Sequence, residues 1–304
     1  DNKEFGFDNF SAEMAKLKND QHFDYLVTIV GEDFGEEGLG CIYILENTKN
    51  HERISVKQIA KKVGETDYVI PSVIKLWHDA DLLEREVFDF LGIKFLGHPD
   101  MRRLFLRNDF EGYPLRKDFD MSPEHNRFPM TDEPESDWTS EWNLNQFGEL
   151  VETKHRLFDT DDFVMNFGPN HPSMHGVLRL QTVVNGETVK RIYPHLGYIH
   201  RGIEKMMENM TYPQTLALTD RLNYLCAMTN RHALVGVIEE AMGVELSDRI
   251  KYIRTIMDEL QRIDNHLLFL GTCAQDLSAL TAFLYCMRDR EHVLNVMEET
   301  TGGR

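Results

Sequence analysis

Residues 177–193, VLRLQTVVNGETVKRIY, decide how the second half of this chain is read. Asn185-Gly186 stands between two runs of apolar, β-branched residues. Asn and Gly accept the positive φ that a two-residue hairpin turn demands, so the stretch predicts a β-hairpin. Just before it, residues 166–176 read NFGPNHPSMHG. His171 and His175 stand four apart, which on a helix would put both imidazoles on one face. Pro172 lacks an N–H and pushes the residue before it out of the helical region, so a turn is expected instead. Beyond the hairpin the apolar spacing becomes helical, with candidate helices at 202–210, 214–242, 248–271 and 281–299. The third has Ser247 as its N-cap and Gly271 as its expected stop. Its apolar stripe runs through Ile250, Ile253, Ile256, Met257, Leu260, Ile263 and Leu267. The second half therefore reads as a hairpin feeding a mainly α domain.

The first half has a different texture. DYLVTIVG (24–31) and LGCIYILEN (39–47) are apolar runs separated by an acidic, Gly-containing loop, and predict paired strands. SVKQIAKKVG (55–64) predicts a short helix from Ser55 to Gly64. A longer helix is expected over 72–92, where Val73, Leu76, Trp77, Ala80, Leu83, Val87 and Leu91 recur at near-helical spacing. This half is an α+β domain. Between Phe128 and Thr153 there is no Lys or Arg, and TDEPESDWTSEW at its centre reads as an acidic connector. Trp138 and Trp142 imply that the connector also packs against something. The expected organisation is 1–120, a connector at 121–162, and 163–304.

The net charge of −18 argues against nonspecific nucleic-acid binding and against a polybasic membrane anchor. Cys41, Cys226, Cys273 and Cys286 are scattered, with no C-x-x-C, so neither a zinc finger nor an iron–sulfur motif is written here. The thiols suit a reducing cytoplasm. No uninterrupted apolar run approaches the ~20 residues of a membrane span. DNKEFGFDNF at the start is no signal peptide, so membrane association is expected to go through partners.

Four stretches bear candidate chemistry, each with a plain structural reading beside it. His171 and His175 are either hydrogen-bonded structural residues or binding groups presented by a stiff turn. YPHLGYIHRGIEKMMEN (193–209) holds His195, His200, Arg201 and Glu204, and by itself reads as a solvated helix start. In LTDRLNYLCAM (218–228), Asp220 and Tyr224 would share a helix face. Tyr224 is either an amphipathic core residue or a proton donor. In CAQDLSALTAF (273–283), Asp276 reads as an N-cap between helices.

Taken together and in order, GPNHPSMHGVLRL, PHLGYIHRGIEK, DRLNYL and DLSALT resemble the D-type, quinone-binding polypeptide of bacterial respiratory complex I, from about Phe163 to Arg304. LLEREVFDFLGIKFLGHPDMRRLFLRNDFEGYPLRKDF (82–119) resembles the C-type polypeptide of the same complex. The resemblance implies C and D fused in one chain, lacking the start of C and the end of D. It implies a second domain like the large subunit of nickel–iron hydrogenases. It further implies a peripheral-arm subunit of a proton-pumping NADH:quinone oxidoreductase, a translocase active only within the complex. Its implied place is the cytoplasmic face of the bacterial membrane. Implied partners are the B-type iron–sulfur polypeptide, the membrane subunit at the quinone entrance and the NADH-oxidising subunits, with no nucleic acid and no transmembrane segment of its own. By the same resemblance His175 and Tyr224 hydrogen-bond the quinone headgroup, Asp276 pairs with His175, and Arg201 lies beside the iron–sulfur cluster of the B-type polypeptide. No metal or cluster is expected on this chain itself.

The implied set is chemically coherent. A quinone takes up two electrons and two protons, and needs donors where negative charge develops on its carbonyl oxygens. Tyr and His are such donors, and a carboxylate beside the His favours imidazolium. The chain departs from the family pattern at Met174, Asn223, Ser278 and Ala282, and none of these removes a donor. Two alternatives stand. One is the large subunit of a hydrogenase-related complex, although Asn223 replaces a nickel-binding cysteine and only Cys226 remains. The other is a non-catalytic scaffold docking the peripheral arm.

Overall fold

The computed structural model describes residues 2–122, 138–158 and 163–303. The chain forms two compact units, Asp1–Gly202 and Ile203–Arg304.

In the first unit, β1 (Asn2–Glu4), β2 (Tyr25–Asp33), β3 (Leu39–Asn47) and β4 (Glu52–Ile59) form one sheet in the order β1-β4-β3-β2. The expected β2–β3 pair is present and antiparallel. The helix expected over 55–64 is instead β4 and the short β5 (Lys61–Val63). The reason is a period of two: Ile54, Val56 and Gln58 are buried on one face while their neighbours are less so. Strand β4 is also central, pairing β3 on one side and β1 on the other. Helix α1 (Phe10–Asn19) covers this sheet with Phe10, Met14 and Leu17, and the Phe10 ring lies 5.3 Å from that of Tyr43.

A second sheet runs β5-β6-β7-β8-β9, with β6 (Asp67–Pro71), β7 (Ile93–Leu96), β8 (Trp138–Leu144) and β9 (Leu150–Arg156). Helix α2 (Ala80–Leu91) connects the parallel pair β6 and β7. It begins eight residues later than the spacing suggested, because residues 72–79 make turns held by a side chain. Ser72 Oγ and the Val73 N–H both donate to the Glu84 carboxylate, at 2.6 and 2.8 Å. Val73, Trp77, Ala80, Val87 and Leu91 are nonetheless buried as the spacing implied.

Residues 138–156 fall within the expected acidic connector yet form β8 and β9. Trp142 packs on the core, and Lys94 Nζ stands 3.7 Å above its ring. Thr139 Oγ1 donates to Asp100 at 2.6 Å, fastening β8 from the other side. Trp138 is half exposed. Residues 123–137 and 159–162 of the stretch lie outside the described residues. The third sheet is β10 (Phe163–Phe167), β11 (Arg179–Asn185) and β12 (Thr188–His195), all antiparallel. Its β11–β12 hairpin turns at Asn185-Gly186, as the sequence implied.

The second unit is helical: α3 (Ile203–Met207), α4 (Tyr212–Thr219), α5 (Ala227–Met242), α6 (Asp248–Asp276) and α7 (Leu280–Thr301). The single helix expected over 214–242 is broken at 220–226. Helix α6 does not stop at Gly271 but runs to Asp276. Gly271 is buried where α6 meets α7, and a Cβ there would stand 3.2 Å from Cys286 Cβ and 3.3 Å from Phe283. It is a crossing-point glycine, not a terminator. Helices α5 and α6 are joined by His232–Asp258 at 2.7 Å and by a two-bond Arg254–Glu239 pair at 2.6 and 2.7 Å.

Candidate functional site

The stretch before the hairpin places His171 and His175 on either side of a short 3-10 turn, Pro172–Met174. His171 Nδ1 accepts the Ser173 N–H at 3.2 Å, and its ring stands edge-on to Phe167 at 5.8 Å. His171 therefore has a structural task. His175 sits just after the turn with a left-handed φ of 51° and is exposed. Gly168, with φ 89°, closes the other side. A Cβ there would fall 1.9 Å from the Leu178 carbonyl oxygen, so only glycine lets the turn lie against the hairpin.

The segment after β12 packs onto the first unit's own core. His200 stacks on Phe90 at 5.0 Å and lies 5.8 Å from Phe105, while Arg102 lies 5.0 Å from the Tyr193 ring. His195 Nε2 meets Gln181 Oε1 at 3.1 Å. Arg201 follows immediately and is exposed. The solvated helix start read from this motif is thus partly a packing surface, and only Ile203–Met207 is helical.

Tyr224 is not on a helix. It stands on the 220–226 connector and is 63% exposed. Asp220, the residue that follows α4 as its C-cap, bonds the Arg231 guanidinium of α5 in a two-bond pair. Side-chain amides take over the carbonyls that a continuous helix would have used. Asn230 Nδ2 donates to Thr219 O at 3.2 Å and Asn223 O at 3.0 Å, and Gln261 Nε2 donates to Leu225 O at 2.9 Å. The break is thereby held by hydrogen bonds rather than frayed. Cys226 Sγ accepts from Asn265 Nδ2 at 3.1 Å. Asp276 is the last residue of α6 and exposed, rather than an N-cap of α7. His175 lies in the first unit and Tyr224 and Asp276 in the second.

Several groups escaped sequence reasoning. On α2, Glu84, Arg85 and Asp89 are buried charges within the LEREVFDFLG motif. Asp89 Oδ2 accepts three successive backbone N–H groups, Leu104, Phe105 and Leu106, at 3.0, 2.7 and 2.9 Å, and Oδ1 accepts from Arg103 at 2.9 Å. Arg85 donates to the Arg102 and Arg103 carbonyls. Burial would raise the Asp100 carboxyl, but bonds from Arg102 and the nearby Arg85 outweigh it and hold it well below the usual range. Burial lifts Glu84 to about 7 against the opposing bonds from Ser72 and Val73. His98 is buried, with Nδ1 accepting the Asp100 N–H at 3.0 Å and Nε2 facing the Asp81 carbonyl at 3.2 Å. The basic residues of HPDMRR are therefore occupied within the chain. On α6, Gln261 and Asp264 are buried on the same face as Met257 and Gly271. Asp264 and Gly271 stand seven residues apart, as do Met257 and Asp264, a signal masked by the isoleucine stripe beside it.

Among the described residues no group of three His, Cys, Asp or Glu side chains stands together as a metal site, and no helix is long and apolar enough to cross a membrane.

Comparison with known proteins gives one consistent answer. Residues 7–125 match the family described as respiratory-chain NADH dehydrogenase, 30 Kd subunit. An NADH-quinone oxidoreductase C/D subunit of Phocaeicola vulgatus is 53% identical over 292 residues, 96% of this chain and 56% of that protein. The C/D subunit of Bacteroides thetaiotaomicron is 52% identical over 302 residues, with the same coverages of 96% and 56%. A C/D subunit of Aquifex aeolicus, numbered 2 in that organism, is 40% identical over 304 residues, 95% of this chain and 50% of that protein. The chain spans about half the length of these relatives.

Proposed function

Because this chain belongs to the family of NADH-quinone oxidoreductase C/D subunits over the length it spans, we propose that it is a peripheral-arm subunit of a proton-pumping complex that reduces quinone. In this reading 1–120 is the C-like part, 121–162 the connector and 163–304 the D-like part, with a hydrogenase-like helical fold. It sits on the cytoplasmic face of the membrane, bound to an iron–sulfur subunit, to a membrane subunit and to the NADH-oxidising subunits.

The observation that carries the reading is the presentation of Tyr224. Its phenol is exposed, yet the backbone on both sides of it is held by side-chain amides. An ordered, outward-facing donor is what a substrate carbonyl requires, since hydrogen bonds aimed at developing negative charge lower the barrier without reorganisation. His175, exposed on a proline-stiffened turn, is the second donor, with Asp276 as its carboxylate partner. An iron–sulfur cluster held by the neighbouring subunit would supply the electrons, with Arg201 beside it. The chain's own share is orientation and protons. Tyr224 holds one quinone oxygen and His175 the other, and each oxygen gains a proton as the ring gains two electrons.

The test is quinone reduction by the assembled complex carrying Tyr224→Phe. Loss of a donor to developing charge lowers the rate by about 10²–10³-fold, while reduction of the upstream iron–sulfur chain stays intact because it precedes quinone. A variant complex that reduces quinone at the parent rate and affinity overturns the residue assignment.

In the first half, the charges Glu84, Arg85 and Asp89 of the LEREVFDFLG motif are turned inward. Asp89, Arg85 and Arg103 bond one another or the backbone, which favours a docking scaffold for that half.

A further inference from the structure

We infer that Gln261 is a positioning residue for Tyr224, and that the buried Asp264–Arg290 pair sets the orientation of its amide. The inference rests on Tyr224 being a quinone donor, and it adds a residue to that site which touches no substrate.

Gln261 lies on the buried face of α6 and is 4% exposed. Its amide grips the chain at two points, both just after Tyr224. Nε2 donates to Leu225 O at 2.9 Å, and Oε1 accepts the Met228 N–H at 3.3 Å. The amide could rotate by half a turn and lose both bonds, but Asp264 prevents this. Asp264 Oδ2 stands 3.2 Å from Gln261 Nε2 and accepts from it; burial raises this carboxyl and Arg290 opposes the rise, and the carboxylate form can only accept, so it keeps the nitrogen facing it. Asp264 is wholly buried and is held in turn by Arg290 of α7. One terminal guanidinium nitrogen bonds Oδ2 at 3.2 Å. Arg290 Nε stands 3.1 Å from Oδ1, too poorly aligned for a hydrogen bond but close enough for charge attraction. On the other side of Tyr224, Asn230 grips Asn223 O.

The chain of restraint therefore runs from α7 through α6 to the backbone flanking the tyrosine. A buried, oriented polar network is costly to leave half satisfied, and it fixes one geometry where apolar packing would tolerate several. Cys226, two residues beyond Tyr224, reports on the same connector through its bond from Asn265.

The experiment uses the full-length chain in the assembled complex, with Gln261→Leu, Asp264→Asn and Tyr224→Phe alone and in combination. Gln261→Leu removes both bonds and lets the phenol wander. Small misplacement of a reacting group costs about 10²-fold in rate, so kcat for quinone reduction falls by that order. In the Tyr224→Phe background the same substitution has no further effect, because there is no donor left to position. Multiplicative losses in the double variant would mean general damage and overturn the inference. A second readout does not depend on quinone chemistry: the alkylation rate of Cys226, followed by peptide mass spectrometry with Cys273 as internal reference. It rises in Gln261→Leu as the connector is released. If Tyr224→Phe itself runs at the parent rate, the quinone assignment fails while faster Cys226 alkylation still upholds the clamp, and an unchanged alkylation rate overturns it. If Gln261→Leu does not assemble, Asp264→Asn, of nearly equal volume, decides the matter. It frees the glutamine amide to flip, so Cys226 reacts faster and kcat falls. Parent values for both overturn the orienting role.

Discussion

Helices α2 and α6 both carry an apolar stripe in the sequence, and only in α2 does the stripe coincide with what is buried. Along α2 and its lead-in, Val73, Trp77, Ala80, Val87 and Leu91 enter the core, and Glu84, Arg85 and Asp89 are drawn in with them because each finds partners. Along α6, Ile250, Ile253, Ile256 and Ile263 stay exposed, while Gln261 and Asp264 are buried. An amphipathic pattern names a face that gains from being covered. It does not name the cover, which must come from another element. In α2 two sheets and a loop provide it. In α6 the covered face is the one turned to α7 and to the 220–226 connector.

Loss of the Asp89 carboxylate should have the largest effect. Asp89→Ala takes the carboxylate away from Arg103 and from three backbone N–H groups, and removal of one partner from a buried ion pair costs about 3–5 kcal/mol. Urea unfolding followed by tryptophan fluorescence reports this, since Trp77, Trp138 and Trp142 all lie in the first unit. A loss below about 1 kcal/mol, close to an ordinary surface change, would show the motif charges to be incidental.

The buried Glu84 makes stability depend on pH. Its folded value of about 7 lies above the ordinary 4.5, so its protonated form is favoured by folding. The associated stability is fully present below pH 4.5, falls as pH rises towards 7, and is absent above that. At ~1.4 kcal/mol per unit the difference is about 3 kcal/mol. Glu84→Gln should flatten that slope between about pH 5 and 7 in the same unfolding assay. A parent-like slope in the variant would place the titration elsewhere.

The α6–α7 crossing comes third. Gly271→Leu must push aside Cys286 and Phe283, and overpacking of this kind costs about 1–3 kcal/mol. Thermal melting followed at the helical circular dichroism band should move down, whereas an unmoved midpoint would mean that the crossing is looser than its spacing.

The smallest effect belongs to the open stripe. Ile263→Ser, at a half-exposed position, should change the stability of the chain by no more than about 0.5 kcal/mol. A loss of several times that would mean the isoleucine face is covered in solution.

What the sequence determined by itself was whatever depends on neighbours along the chain. The β2–β3 pairing, the Asn185-Gly186 hairpin, the proline-held turn before His175 and the presence of a helical second half all follow from local φ preferences and from periods of two or 3.6. The motif order was equally legible, and the match to C/D relatives accords with it. The tertiary structure alone decided the rest. Residues 55–59 became strand because β3 and β1 offered edges on both sides, and residues 61–63 because β6 offered one. The helix over 214–242 broke because Asn230 and Gln261, reaching from α5 and α6, satisfy carbonyls that would otherwise demand helix. Gly271 continued its helix because α7 approaches too closely for a side chain. In each case a polar backbone group or a surface had two acceptable local solutions. The choice fell to a partner distant in sequence, whose position no local pattern encodes.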